Sequence, residues 1–244
     1  FVPWQNLIQF LAPDFFGNPA TGNYWGVWNY GEFIGYIGIA PLILAIYALI
    51  FRKDKKILFF GCLLLVSSLF AFPTPLAKLV YLLKIPLIST SQPTRLMYVI
   101  AFSLCILAAL GFDQFIKSEK TKKIILVTAI TNFFMLIIWF FYILVSPFIT
   151  DAQHHIIASH NLILPTILII LTTFLLIFIS RSKTRLQKVG ILILITIIII
   201  DLFRFGWKFT PFTKEEWIFP SSKLLKIISA DNDYGRFMAL DRRI

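Results

Sequence analysis

Charge is what this sequence has least of. Asp, Glu, Lys and Arg together make up 14% of its 244 residues, against about 25% in an ordinary soluble domain. Hydrophobic residues make up 58% and mean hydropathy is +0.82. A water-soluble globule is excluded, because its long apolar helices would have no polar face to turn outward. Cysteine is nearly absent. Cys62 and Cys105 both lie inside apolar runs, with no Cys-x-x-Cys and no histidine beside either, so neither a disulfide framework nor a thiolate metal site is indicated. There is no Gly-x-Ser-x-Gly, no phosphate-binding Gly-rich loop and no His-Glu-x-x-His, which leaves soluble-type nucleotide chemistry without a foothold. Acidic residues are also scarce, 12 against 23 basic, for a net charge of +11. In a soluble protein that excess would suggest nucleic acid. Here about half of the basic residues sit in three short gaps between apolar runs, where they set topology and meet anionic headgroups. Membrane lipids, and not nucleic acid, are the expected partners.

What is present is a set of six apolar runs, at about 33–51, 57–71, 96–116, 124–146, 162–180 and 189–205. Most approach the ~20 residues needed to cross ~30 Å of hydrocarbon; the second is short. The gap Arg52-Lys53-Asp54-Lys55-Lys56 is basic, as are 117–123 and 181–188, whereas 72–95 is sparsely basic and 147–161 has no Lys or Arg. Short basic loops stay on the cytoplasmic side. The expected fold is therefore all-α membrane: a six-span bundle over 33–207, an extracytoplasmic loop over 1–32, and the start of an extracytoplasmic soluble domain over 208–244. Multi-pass residence in the plasma membrane follows, with both ends outside. Leu76, Leu79, Val80 and Leu83 recur at helical spacing, with Lys78 and Lys84 off that face, which predicts an amphipathic helix in the outer interface. Beyond Trp207, Ser221 or Ser222 is placed to cap a short helix through Ile228, and 234–240 has strand character. The chain opens on Phe1-Val2-Pro3-Trp4 and reads as an interior piece of a longer protein.

Ionisable groups inside a bilayer mark function, and the runs hold few. Asp113 lies near the inner end of the third. Asp201 lies near the outer end of the sixth, three residues before Arg204, and reads as half of an interfacial pair. His154, His155 and His160, with Asp151 nearby, read as a polar loop and not as zinc ligands. Polar density is concentrated outside, at Asp14, Tyr24, Asn29, Glu32 and Tyr36, among glycines and aromatic rings. Such a mixture suits sugars, whose hydroxyls need carboxylates and amides and whose apolar faces stack on rings. It also suits an ordered loop whose Trp and Tyr anchor the interface. Glu32 is placed to orient an acceptor, to coordinate a cation or to cap the first span. Arg95, at the outer start of the third span, suits a lipid phosphate held bidentately or a snorkelling headgroup contact. Lys84 and Lys78 are placed to share either role.

The ordered set Pro13-Asp14-Phe15-Phe16-Gly17, Tyr24-Trp25-Gly26, Glu32 with Tyr36-Ile37-Gly38 and Pro41-Leu42, and Phe72-Pro73-Thr74-Pro75 carries a resemblance. So do Lys84-Ile85-Pro86, Pro93 with Arg95, and Leu107-Ala108-Ala109 with Gly111. Over residues 10–115, and more weakly after Trp207, the chain resembles the bacterial YfhO-like membrane proteins of the GT-C glycosyltransferase superfamily. The resemblance implies transfer of a sugar from a polyprenyl-phosphate donor to a cell-envelope acceptor, a glycan or teichoic-acid-like polymer, on the outer face. It places the catalytic acid in an earlier outer loop, leaving the catalytic base unassigned here. Asp14, Tyr24, Asn29, Glu32 and Tyr36 would then line the acceptor or metal side, with Arg95 and Lys84 on the donor phosphate. A divalent cation is a candidate cofactor. The competing readings are a transporter or flippase for a lipid-linked envelope precursor, and a non-catalytic membrane scaffold.

Overall fold

Apolar segments in lipid can satisfy their backbone amides only within themselves, so the chain folds as helices. The computed structural model describes residues 1–27, 29–86, 88–117, 121–149, 151–209, 213–218 and 222–230. The expected strand at 234–240 lies outside them, and no strand occurs among the described residues. The helices are α1 (Tyr30–Phe33), α2 (Ile39–Phe51), α3 (Lys55–Ala71), α4 (Pro75–Leu82), α5 (Leu96–Lys117), α6 (Thr121–Val145), α7 (Ala152–Arg181) and α8 (Thr184–Gly206), followed by the short α9 (Glu215–Ile218) and α10 (Lys223–Ala230). Two units result, Phe1–Lys208 and Phe209–Ile244.

Four helices of the first unit, α5 to α8, are long and apolar enough to cross a membrane. Joined at a 60° bend, α3 and α4 make a fifth candidate. The chain is a multi-pass membrane protein. Asp54 caps α3 by accepting the Ile57 N–H at 2.9 Å. The bend after Ala71 is fixed by Thr74, whose hydroxyl donates to the Leu69 carbonyl at 2.6 Å and accepts the Ala77 N–H at 3.1 Å, with Pro75 opening α4.

Two boundaries differ from the sequence expectation, each for a local reason. The run 33–51 is not one helix: 34–38 is non-helical, and α2 has only 13 residues, about 20 Å at 1.5 Å per residue. Pro41 lacks an N–H and is tolerated only in a first turn, while Gly38 at φ 93° leaves helical space altogether. The expected loop 147–161 is mostly helix. Asp151 caps α7 through the Gln153 N–H at 2.8 Å, so α7 begins ten residues before the apolar run and carries all three histidines.

The three basic gaps share one end of the bundle. Arg52 donates to the Leu110 carbonyl at 2.8 Å and to Asp113 at 2.9 Å, and Lys117 reaches Asp113 at 2.7 Å. Lys123 lies 5.0 Å from the Phe51 ring centroid, and Thr121 donates to the Ser180 carbonyl at 3.4 Å. Polar contacts also join α6 to α7: Asn132 to Thr173 at 2.8 Å, Trp139 to Thr166 at 2.9 Å and Tyr142 to the His155 carbonyl at 3.1 Å. In lipid such bonds contribute about 0.6 kcal/mol each and fix the register of two otherwise featureless apolar faces.

The tightest crossing is between α2 and α5. A Cβ added to Gly111 would lie 1.9 Å from the Leu44 carbonyl oxygen and 3.3 Å from the Ala48 Cβ. Backbone has no room to yield there. Gly111→Ala should lower the thermal stability of the detergent-solubilised protein by about 1–3 kcal/mol, the usual penalty for overpacking. An unchanged melting temperature would mean that this crossing is looser than drawn.

Candidate functional site

At the opposite end from the basic gaps, the segment 1–33 lies over the helix ends, and three polar clusters form there. The first centres on Asp14, which is 6% exposed. Its Oδ1 accepts from Asn18 at 2.8 Å and from the Tyr30 hydroxyl at 2.9 Å. Its Oδ2 meets Lys208 at 2.6 Å and Arg204 at 3.7 Å. The Asp14 carbonyl accepts from Asn161 of α7 at 2.6 Å. Burial alone would push this carboxyl up. Lys208, with its hydrogen bond and its charge, and Asn18 and Tyr30 outweigh that and hold the carboxyl below its ordinary value of 3.8. Burial, and then Asp14, push the Tyr30 hydroxyl well up, so it stays a donor. Tyr24 packs edge-on against Tyr30 at 5.3 Å and donates to the Val27 carbonyl.

The second cluster joins Glu32 to the turn Pro93–Arg95. Thr94, 6% exposed, donates its hydroxyl to Glu32 Oε2 at 2.7 Å. Glu32 thus sits beside the residue that precedes Arg95. Arg95 is exposed and lines a cavity of about 630 Å³ whose walls are Leu63, Val66 and Phe70 of α3, Val80 of α4, and Leu96 and Val99 of α5. Its polar members, Ser67, Tyr81, Ser91, Gln92 and Arg95, are few, so a guanidinium edges a largely apolar groove. Lys84, exposed at φ 50°, does not line it.

The third cluster is one that sequence reasoning missed. Tyr36 donates to Asp201 Oδ2 at 2.6 Å, and the same oxygen accepts the Ile39 N–H at 3.3 Å. Asp201, from the far end of the chain, therefore caps the broken helix α2. Asp201 does not form the expected pair with Arg204; Arg204 points to Asp14 instead. The available signal was spacing. Asp201 and Arg204 near the end of α8, and Lys208 in the turn just beyond it, fall at i, i+3 and i+7, a spacing that keeps to one helical side, and all three contact residues of the segment 1–39.

The expected site residues are thus divided. Asp14, Tyr24 and Tyr30 are joined, Glu32 is joined to the Arg95 turn, and Tyr36 to Asp201. Asn29, at φ 72°, turns the chain into α1 through its carbonyl, which accepts the Glu32 N–H at 3.2 Å. Lys84 stands apart. Among the described residues no three His, Cys, Asp or Glu side chains converge as metal ligands. No protein family, no curated protein and no solved structure matches the chain.

Asp14 carries a pH prediction. A carboxyl held low in the folded state contributes stability above its unfolded value near 3.8, and that stability is lost as pH falls through the lower folded value. Asp14→Asn should cost about 2–4 kcal/mol at neutral pH, because it leaves Lys208 and Arg204 without their counter-charge. It should also flatten the acid limb of the stability profile. An acid limb of unchanged steepness in that variant would assign acid sensitivity elsewhere.

Proposed function

We propose that this chain belongs to a polytopic glycosyltransferase of the YfhO-like, GT-C kind, moving a sugar from a polyprenyl-phosphate donor to a cell-envelope acceptor on the outer face of the plasma membrane. In this reading the basic end is cytoplasmic. The segment 34–38 with α2, then α3, then α5 to α8, make six crossings. α4 lies in the outer headgroup layer, and both ends of the chain are extracytoplasmic.

The observation that carries the proposal is the hydrogen bond from Thr94 to Glu32 at 2.7 Å. It puts a carboxylate next in space to the turn whose next residue, Arg95, edges an apolar groove. A lipid-linked donor has the same layout: a hydrocarbon chain, then a phosphate at headgroup depth, then a sugar in water. The groove accommodates isoprenoid carbon, and Arg95 meets phosphate oxygens as a fork. As the sugar leaves, charge builds on the phosphate, and a guanidinium fixed there stabilises it. Glu32 accepts hydrogen bonds from acceptor hydroxyls, with Thr94 fixing its direction. Asp14, held between two cations, is a poor base and serves to position the loop.

A second reading, transport of a lipid-linked precursor, is favoured by one feature, the buried Asp201 at a break in an apolar helix. Broken helices and buried acids are where transporters bind substrates and ions.

The two readings separate on turnover. In the full-length protein, Arg95→Ala should lower sugar transfer by about 10²–10³, the range for losing one donor to a developing oxyanion, with membrane insertion unchanged. Glu32→Gln should reduce transfer more than expression. Unaltered transfer in Arg95→Ala removes it from the site, and a Glu32→Gln defect confined to expression makes that contact structural.

A further inference from the structure

A second groove, of about 490 Å³, runs between the segment 1–25 and the outer half of α6, and shares no wall residue with the groove at Arg95. Its floor is Phe15, Phe16 and Tyr142, all buried, and its lip is Leu7, Phe141 and Val145, all exposed. An exposed lip on a membrane-spanning helix faces lipid, so the groove opens sideways into the outer leaflet. Its α6 wall extends from Phe134 to Val145, about 16 Å at 1.5 Å per residue. That is roughly the depth of one leaflet in a ~30 Å hydrocarbon core. A single hydrocarbon chain lying along α6 matches it.

Charge decides which lipid. Residues 1–33 and 124–161, which supply every wall, contain no Lys or Arg. Arg204 and Lys208 reach this end of the bundle, but both are engaged by Asp14 and neither lines the groove. The rim offers a neutral donor instead. Trp25 lines the groove and stacks on His154 at 4.9 Å, while its Nε1 is buried and has no partner among the described residues. Gln5, exposed, brings an amide to the same groove. Asp151, 3.5 Å from His154, adds negative charge nearby. A buried N–H without an acceptor costs free energy until one reaches it. A lipid phosphate would meet an acid there and no counter-charge. The ester carbonyls and hydroxyls of an uncharged headgroup satisfy the indole without that repulsion.

We propose that this groove binds a diacylglycerol-type lipid of the outer leaflet, one whose headgroup carries no phosphate. One acyl chain lies against Phe134, Phe141 and Val145. The Trp25 indole donates to an ester or headgroup oxygen, and the Gln5 amide meets a second oxygen at the rim. The two outer grooves thus sort lipids by charge, an anionic one at Arg95 and a neutral one at Trp25. None of the groove's residues belongs to the Glu32 and Arg95 cluster, so the site stands or falls separately from sugar transfer.

The test uses the full-length protein in liposomes and a diacylglycerol with a diazirine on one acyl chain. After illumination, adducts should map to Phe134, Phe141 and Val145. Unlabelled diacylglycerol should remove them, and the same amount of phosphatidylglycerol should not. Trp25→Phe keeps the ring but removes the N–H, and should weaken diacylglycerol competition about three- to tenfold, the worth of one hydrogen bond. Gln5→Lys adds a cation at an exposed position and should let phosphatidylglycerol compete. Labelling spread evenly over the lipid-facing helices, or equal competition by the two lipids in the wild type, would overturn the proposal. So would diacylglycerol competition that Trp25→Phe leaves unchanged.

Discussion

The contact between Asp14 and Lys208, 2.6 Å long and largely shielded from water, joins the first aromatic loop to the last membrane helix across almost the whole sequence. Everything at that end of the bundle follows from it. With Asn161 of α7 holding the Asp14 carbonyl, the loop is fastened at one residue to two helices. From that anchor the chain turns at Asn29, forms α1, and delivers Glu32 to the Pro93–Arg95 turn. Both cations of that region, Arg204 and Lys208, turn to Asp14, and their positive charge is what lets a carboxylate sit in a poorly solvated place.

A second constraint comes from the bilayer. A helix of 13 residues reaches about 20 Å and cannot cross ~30 Å of hydrocarbon alone. The remaining depth falls to 34–38, a stretch without helical bonds that lipid would not tolerate if exposed. It is buried in protein instead, with Tyr36 and Ile37 under 10% exposed, and the new helix end finds a carboxylate from α8. Burial of the break and the presence of Asp201 are thus one requirement met twice.

Much of this was legible in the residues. Apolar runs near 96–116, 124–146 and 189–205 became α5, α6 and α8 with ends within a few residues of expectation, because uninterrupted hydrophobicity leaves no alternative to a helix. The spacing of the basic gaps matched their gathering at one end. The break before α2 was written in Gly35, Gly38 and Pro41, but hydropathy averages over such punctuation, and 33–51 therefore read as continuous. The start of α7 was hidden for the opposite reason: Asp151 and the histidines look like loop, while capping and the stacking of His154 on Trp25 at 4.9 Å make them helix. Partnerships between distant segments were not legible at all. Nothing local in Asp201 says that it meets Tyr36, 165 positions away, and Arg204 nearby made a plausible wrong partner.

The functional account rests on a lipid-borne phosphate seating where Glu32, Thr94 and Arg95 meet, its chain in the groove between α3, α4 and α5. Photocrosslinking tests this most directly, using the full-length protein in native membranes and a polyprenyl phosphate with a photoreactive group close to its phosphate. The account predicts adducts on Ser67, Val80, Tyr81 and Val99, lost when unlabelled polyprenyl phosphate competes. Adducts confined to α6 or to the α7–α8 groove, or spread evenly over all lipid-facing helices, would contradict it.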